Sequence, residues 1–135
     1  MTRTPPRTEV LPRGEHTNFL AKAKEFAETA RMALEDQRLN SAGLEAIHAA
    51  ISACDAVTVA RLGLRCKGED HRDVLHLLSR INEEGLSEVY RQVSQVLSVK
   101  SMIEYGGAGL SSEETTYVVV RAERIVKWAI EQVKD

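Results

Sequence analysis

The chain has 135 residues and a formal net charge of −2, and 43% of its residues are hydrophobic but only 4% aromatic. This length suits one domain with a sizeable core, and the small net charge argues against a general affinity for polyanions. No apolar run approaches the roughly 18 to 20 residues that span a membrane, and the N-terminus lacks the apolar stretch of a signal peptide. We therefore expect a cytoplasmic protein with no membrane segment, built mainly from helices.

Residues 1–14 carry all three prolines and show no apolar periodicity. A segment of this kind buries too little apolar surface to become ordered. A flexible tail is therefore predicted here, and the folded domain is predicted over 15–135. Arg3, Arg7 and Arg13 make the tail basic, which indicates either a solvated segment or a contact with nucleic acid.

Helical periodicity begins at Thr17, a plausible N-cap, and continues to the end of the chain in five segments. The predicted helices cover about 17–40, 41–63, 70–81, 86–105 and 112–133. The second has two apolar stripes, which predicts a helix buried around much of its circumference. The fold predicted from these segments is an all-α, up-and-down four-helix bundle with an additional short helix.

A glycine cluster, Gly106, Gly107 and Gly109, lies between the last two predicted helices. It lacks the lysine of a P-loop and follows a helix instead of a strand, so a phosphate cradle is not favoured. Gly106 or Gly107 suits the left-handed residue that ends many helices. Ser111 with Glu114 three residues later predicts a capping box. The cluster is therefore interpreted as one helix ending and the next beginning.

Several polar residues have types that also occur in metal or catalytic sites. Glu45 and His48 form a single Glu-x-x-His, whereas di-iron bundles use that motif twice. His48, Ser52 and Asp55 fall near one face of the second predicted helix, but a serine inside a regular helix has no oxyanion hole. Hydrogen bonding within the bundle is the favoured interpretation, and neither a metal site nor a cofactor is predicted. Cys54 is expected to be a buried free thiol.

Two stretches together resemble a known family. They are AIHAAISACDAVTVARLG, which contains His48, and GEDHRDVLHLLSRI, which follows it. An alanine-rich helix with a histidine near its start, followed by a helix that opens with a His–acid–Leu pattern, resembles the HEPN domains, the higher-eukaryote and prokaryote nucleotide-binding helical domains. The resemblance covers roughly residues 17–133.

Many HEPN proteins are ribonucleases, and the resemblance implies an Arg followed four to six residues later by a His, near the end of the third long helix. The corresponding positions here hold Lys100 and Tyr105. This departure predicts a protein without catalytic activity of its own, and no catalytic residue is assigned. A ribonuclease with a degenerate motif and a metal-binding bundle are the alternatives. Arg65 and His71 have the separation of the motif, but they span the loop after the second helix, so they are the alternative site.

Lys100 lies on an apolar stripe, and burying an unpaired charge is costly, so it needs a partner, which Glu104, a partner chain or an anionic ligand could supply. Lys100, Glu104 and Tyr105 are therefore the candidate ligand-binding residues. The resemblance implies an accessory protein of the toxin–antitoxin or nucleotide-associated type, with a nucleotidyltransferase-like partner or an RNA or nucleotide ligand. The last helix also carries more apolar residues than one face needs, which predicts a homodimer. These residues are Tyr117, Val119, Val120, Val126, Trp128 and Ile130.

Overall fold

The computed structural model describes residues 7–67, 71–81 and 85–134, without the side chains at positions 71 and 72. These residues form six α-helices, which confirms the prediction of an all-α helical bundle. The longer helices are α1 (His16–Glu35), α2 (Leu39–Leu62), α4 (Leu86–Leu97) and α6 (Ser112–Gln132), and the short ones are α3 (His71–Leu78) and α5 (Lys100–Tyr105). Two three-residue strands, β1 (Thr8–Val10) and β2 (Leu64–Cys66), form an antiparallel ribbon.

The central helix of the bundle is α2, which packs against both α1 and α6. Its alanines Ala46, Ala49, Ala50 and Ala53 are fully buried, and side chains this small let the neighbouring helices approach closely. This burial confirms the prediction drawn from the two apolar stripes. By length and composition α2 is apolar enough to cross a membrane, but 78% of its most apolar stretch is buried inside the bundle, as in the core helix of a soluble domain.

The first turn of α6 is a capping box, as the sequence predicts. The Ser111 hydroxyl accepts a hydrogen bond from the Glu114 N–H at 3.1 Å, and the Glu114 carboxylate accepts one from the Ser111 N–H at 2.8 Å. These two N–H groups are among those that the start of a helix leaves free. Because the side chains bind them, they are unavailable to a phosphate.

Some of the additional apolar residues of the last helix, from which a homodimer is predicted, belong to the core. Val119 and Val126 are only 0% and 6% exposed, because α6 packs against α1, α2 and α4 and is buried over a wider arc than one stripe. Tyr117 is 40% exposed, and Val120, Trp128 and Ile130 are partly exposed. These four residues are what remains of the predicted dimer surface.

The single helix predicted over 86–105 is wrong, because the structure has two helices, α4 and α5, separated at Ser98 and Val99. The Ser98 hydroxyl donates to the Gln95 carbonyl at 2.7 Å, which competes with the helical backbone bonds. The Val99 N–H bonds the Val96 carbonyl, three residues back, at 3.3 Å. This tightened turn places Val99 in the core and ends α4.

The start of α1 also differs from the prediction, since Thr17 lies inside the helix and is not its cap. A 3₁₀ turn, Arg13–Glu15, leads into the helix, and the Thr17 hydroxyl donates to the Gly14 carbonyl at 3.2 Å. The helix ends at Glu35, and two residues later Gln37 has a φ of 59°, a left-handed conformation that stops it.

The flexible tail predicted over 1–14 is wrong for its second half. Glu9 of β1 lies opposite Arg65 of β2, and Gly63, with a φ of 66°, turns the chain from α2 into β2. The Leu11 N–H donates to the Gly63 carbonyl at 2.9 Å. Backbone pairing with a distant strand orders this segment, which apolar periodicity cannot predict. Positions 1–6 lie outside the described residues, and the domain boundary at residue 15 stays a prediction.

Candidate functional site

The short helix α5 carries all three predicted ligand-binding residues. The Nζ of Lys100 lies 3.9 Å from Oε1 of Glu104, one helical turn later, so Glu104 is the partner that the sequence offered for this lysine. Their side chains are 30% and 37% exposed. An ion pair this long and this accessible contributes little to stability.

Tyr105 ends α5 and is 84% exposed, the most exposed of the large apolar and aromatic residues described. Gly106 stops the helix, as predicted, but its φ of −82° is not left-handed. A Cβ there would lie 2.6 Å from the Met102 carbonyl oxygen, so close approach and not backbone handedness requires the glycine. The positive φ predicted for Gly106 or Gly107 falls instead at Gly109, at 74°.

The loop after Tyr105 is fastened to the start of α2. The side-chain oxygen of Asn40 accepts a hydrogen bond from the Leu110 N–H at 2.9 Å, and Leu110 is 6% exposed. Inside α2, a Cβ on Gly43 would collide with the Leu110 Cδ1 and lie 3.0 Å from the Ile103 Cδ1. Sequence reasoning missed both Asn40 and Gly43, although a glycine inside a helix is a recognised sign of close packing.

A surface depression of about 360 Å³ lies beside the start of α5. It is lined by Val99, Glu113, Glu114 and Tyr117. The guanidinium of Arg121 stacks on the Tyr117 ring, 3.3 Å from its centroid. A wall that is aromatic and apolar suits a planar ligand.

Of the alternative site, Arg65 and His71, only the Arg65 side chain is described, because that of His71 lies outside the described residues. The Nε of Arg65 donates to Oδ2 of Asp55 at 3.3 Å, and its Nη1 donates to Oε2 of Glu9 at 3.5 Å. The Asp55 side chain is 6% exposed. Arg65 therefore contacts two carboxylates, and the partner of Asp55 lies on the ribbon and not on a helix of the bundle.

The electrostatics of this cluster are dominated by desolvation. Burial raises the pKa of the Asp55 carboxyl to about 6, against the opposing influence of the Arg65 and Lys22 charges. Both cations also lie near the Phe19 ring. The Arg65 guanidinium is 5.3 Å and the Lys22 ammonium 5.6 Å from the ring centroid. Cys54, the neighbouring residue, is a buried free thiol as predicted, and burial raises its pKa.

Two of the described histidines, His16 and His48, have local contacts within the chain. His48 is exposed on α2, and its ring lies 5.7 Å from that of Phe26 on α1. The Nδ1 of His16 lies 2.9 Å from the Arg13 carbonyl oxygen. Over the described ranges, no group of three or more His, Cys, Asp or Glu side chains is placed to hold a metal ion.

The architecture defines an all-α bundle whose fifth helix presents a lysine, a glutamate and an exposed tyrosine. The family model of the HEPN domain matches residues 17–133, nearly the whole chain. The chain therefore belongs to the HEPN domain family, as the sequence resemblance predicts. No curated protein matches it.

Proposed function

We propose that this chain is a HEPN-type binding or accessory module without catalytic activity of its own. The observation that carries the proposal is the composition of α5. Where the family resemblance implies a catalytic Arg and His, this helix has Lys100, paired with Glu104, and the exposed Tyr105. Lysine supplies charge without the planar fork of arginine, and a tyrosine hydroxyl is a poor general base at neutral pH.

The ligand class that fits α5 best is RNA or a nucleotide. An exposed aromatic ring can stack on a base, and a nearby ammonium group can contact a phosphate. Tyr105 and Lys100 stand at the two ends of one short helix and provide one group of each kind.

Binding of a fluorescent single-stranded RNA to the purified protein tests this proposal. Tyr105→Ala should weaken binding by about 1 to 2 kcal/mol, or roughly five- to thirty-fold, because one stacking surface is lost. Tyr105→Phe should bind like the wild type, since the ring remains. Tyr90→Ala is the matched control, because Tyr90 is also exposed, at 39%, but lies on α4. Equal losses for Tyr105→Ala and Tyr90→Ala would contradict a site on α5.

We further propose that the module acts in the cytoplasm as part of a toxin–antitoxin or nucleotide-associated system, as a homodimer and with a nucleotidyltransferase-like partner. The exposed residues of α6 support the dimer, since Tyr117 and Val120 give it an apolar surface. Sedimentation equilibrium should show a dimer at micromolar concentration. Val120→Glu should give a monomer, whereas Val10→Glu, on the exposed ribbon, should remain dimeric. A wild-type monomer at that concentration would contradict the dimer.

A further inference from the structure

The ion pairs at the ribbon support an inference that is independent of the proposed function. Asp55 on α2 and Glu9 on β1 share the guanidinium of Arg65 on β2, at 3.3 and 3.5 Å. Their exposures differ sharply, since the Asp55 side chain is 6% exposed and that of Glu9 is 40% exposed. One arginine therefore links an internal carboxylate to the N-terminal strand.

We propose that Arg65 couples the docking of β1 to the protonation of Asp55, so that the strand is held more tightly when Asp55 is protonated. An ionised Asp55 offsets the charge of Arg65 and repels Glu9. When Asp55 is protonated, both effects are lost and the net attraction between Arg65 and Glu9 is stronger. Because coupling between two sites is reciprocal, docking of the strand must raise the proton affinity of Asp55 by the same factor.

The strand is docked weakly enough for such a charge effect to matter. β1 has three residues, and Val10 at its end is 81% exposed, so the strand buries little apolar surface. Its register is fixed by backbone bonds at either end, from the Lys67 N–H to the Arg7 carbonyl at 2.8 Å and from the Leu11 N–H to the Gly63 carbonyl. A ribbon of two short strands has little stability of its own, so even the small energy of a half-exposed ion pair such as Glu9–Arg65 shifts the docking equilibrium of β1.

The cations that act on Asp55 come from two neighbouring elements, β2 and α1. Arg65 of β2 and Lys22 of α1 both favour its ionised form, and Cys54, beside it on α2, is a buried thiol. Glu9 of β1 reaches it through Arg65. With a pKa of about 6, Asp55 changes its protonation between pH 7.5 and pH 5, so the coupling acts in that interval.

Hydrogen exchange measures the docking directly. The Leu11 and Lys67 amides bridge the two strands, and their protection, corrected for the intrinsic pH dependence of exchange, should be roughly twofold higher at pH 5.5 than at pH 7.5. In Asp55→Asn the protection of these two amides at pH 5.5, divided by that at pH 7.5, should be close to one. The Thr115 amide, which bonds the Ser111 carbonyl in α6, is the control, and any change in its protection with the global stability of the protein is divided out of the ratios at Leu11 and Lys67. A ratio that persists in Asp55→Asn, as titration of a histidine would give, would overturn the proposal.

The reciprocal effect gives a second test on a surface variant. Glu9→Gln removes the repulsion that Asp55 experiences, so a carboxyl carbon titration by NMR should place the Asp55 midpoint about half a unit lower than in the wild type. An identical midpoint in the two proteins would show that strand and carboxyl are uncoupled. If Asp55→Asn does not fold, this comparison decides the proposal by itself.

Discussion

The side-chain oxygen of Asn40, in the first turn of α2, accepts a hydrogen bond from the backbone N–H of Leu110, 70 positions later in the chain. The bond is 2.9 Å long, and Leu110 is a buried residue of the loop that joins α5 to α6. Together with the space left by Gly43, this contact fixes the loop that follows Tyr105. The position of the candidate site thus depends on two residues far from it in sequence.

Removal of the Asn40 side chain should loosen that loop. Asn40→Ala leaves the buried Leu110 N–H without its acceptor, which should lower the free energy of unfolding by about 1 to 2 kcal/mol in urea denaturation. Asn40→Asp retains an acceptor oxygen and should remain close to the wild type. Equal losses in both variants would mean that the hydrogen bond does not account for the effect.

Replacement of Gly43 by alanine should destabilise the protein, whereas the same change at an ordinary helical glycine stabilises it. Alanine normally stabilises a helix interior by about 0.5 to 1 kcal/mol relative to glycine. At position 43 its Cβ meets the ends of the buried Leu110 and the partly buried Ile103 side chains, so Gly43→Ala should destabilise the protein by about 1 kcal/mol. Gly107→Ala is the control, because no atom lies within 4 Å of a Cβ there. A higher melting temperature for Gly43→Ala would contradict the packing described around it.

Asp55 should make the stability of the protein pH-dependent in a definite direction. Its pKa is raised from 3.8 to about 6 on folding, so the folded state holds the proton more tightly than the unfolded chain. The resulting stabilisation is fully present below about pH 4 and is lost as the pH rises through 6. Between pH 5 and pH 7.5 the Asp55 contribution should fall by roughly 1 to 1.5 kcal/mol.

Urea denaturation at the two pH values isolates that contribution. The difference in stability between the wild type and Asp55→Asn should change by this amount, with the wild type relatively more stable at pH 5. Asp36→Asn is the control, because Asp36 forms an exposed pair with Arg38 and should show no such change. A difference that is the same at both pH values would mean that Asp55 titrates as it does in the unfolded chain.

The features that the sequence predicted correctly are those encoded locally. The capping box of Ser111 and Glu114 involves positions three residues apart, and the burial of α2 follows from its own apolar stripes. The pairing of Lys100 with Glu104 likewise lies within one helical turn. Such features depend on helix geometry alone, so periodicity and spacing are enough to find them.

The features that the sequence did not predict depend on partners far along the chain. The separation of Arg65 and His71 makes them the alternative site, but nothing in the sequence indicates that Arg65 contacts Asp55 and Glu9 in the folded chain. Glu9 lies in a segment with no periodicity, and only the pairing of β1 with β2 brings it there. Val99 interrupts a continuous helical pattern because the core accommodates it in a tighter turn.

The most direct test of the proposed non-catalytic module is a cleavage assay with labelled single-stranded RNA, purified protein and a chelator to remove metal ions. Loss of a general acid–base group typically lowers a rate by about 10²- to 10⁴-fold. We therefore expect only faint background cleavage, with equal rates for the wild type, Lys100→Ala and Tyr105→Phe. Robust cleavage that either variant abolishes would contradict the account at α5, and robust cleavage abolished by changing Arg65 or His71 would place a catalytic site where none is assigned.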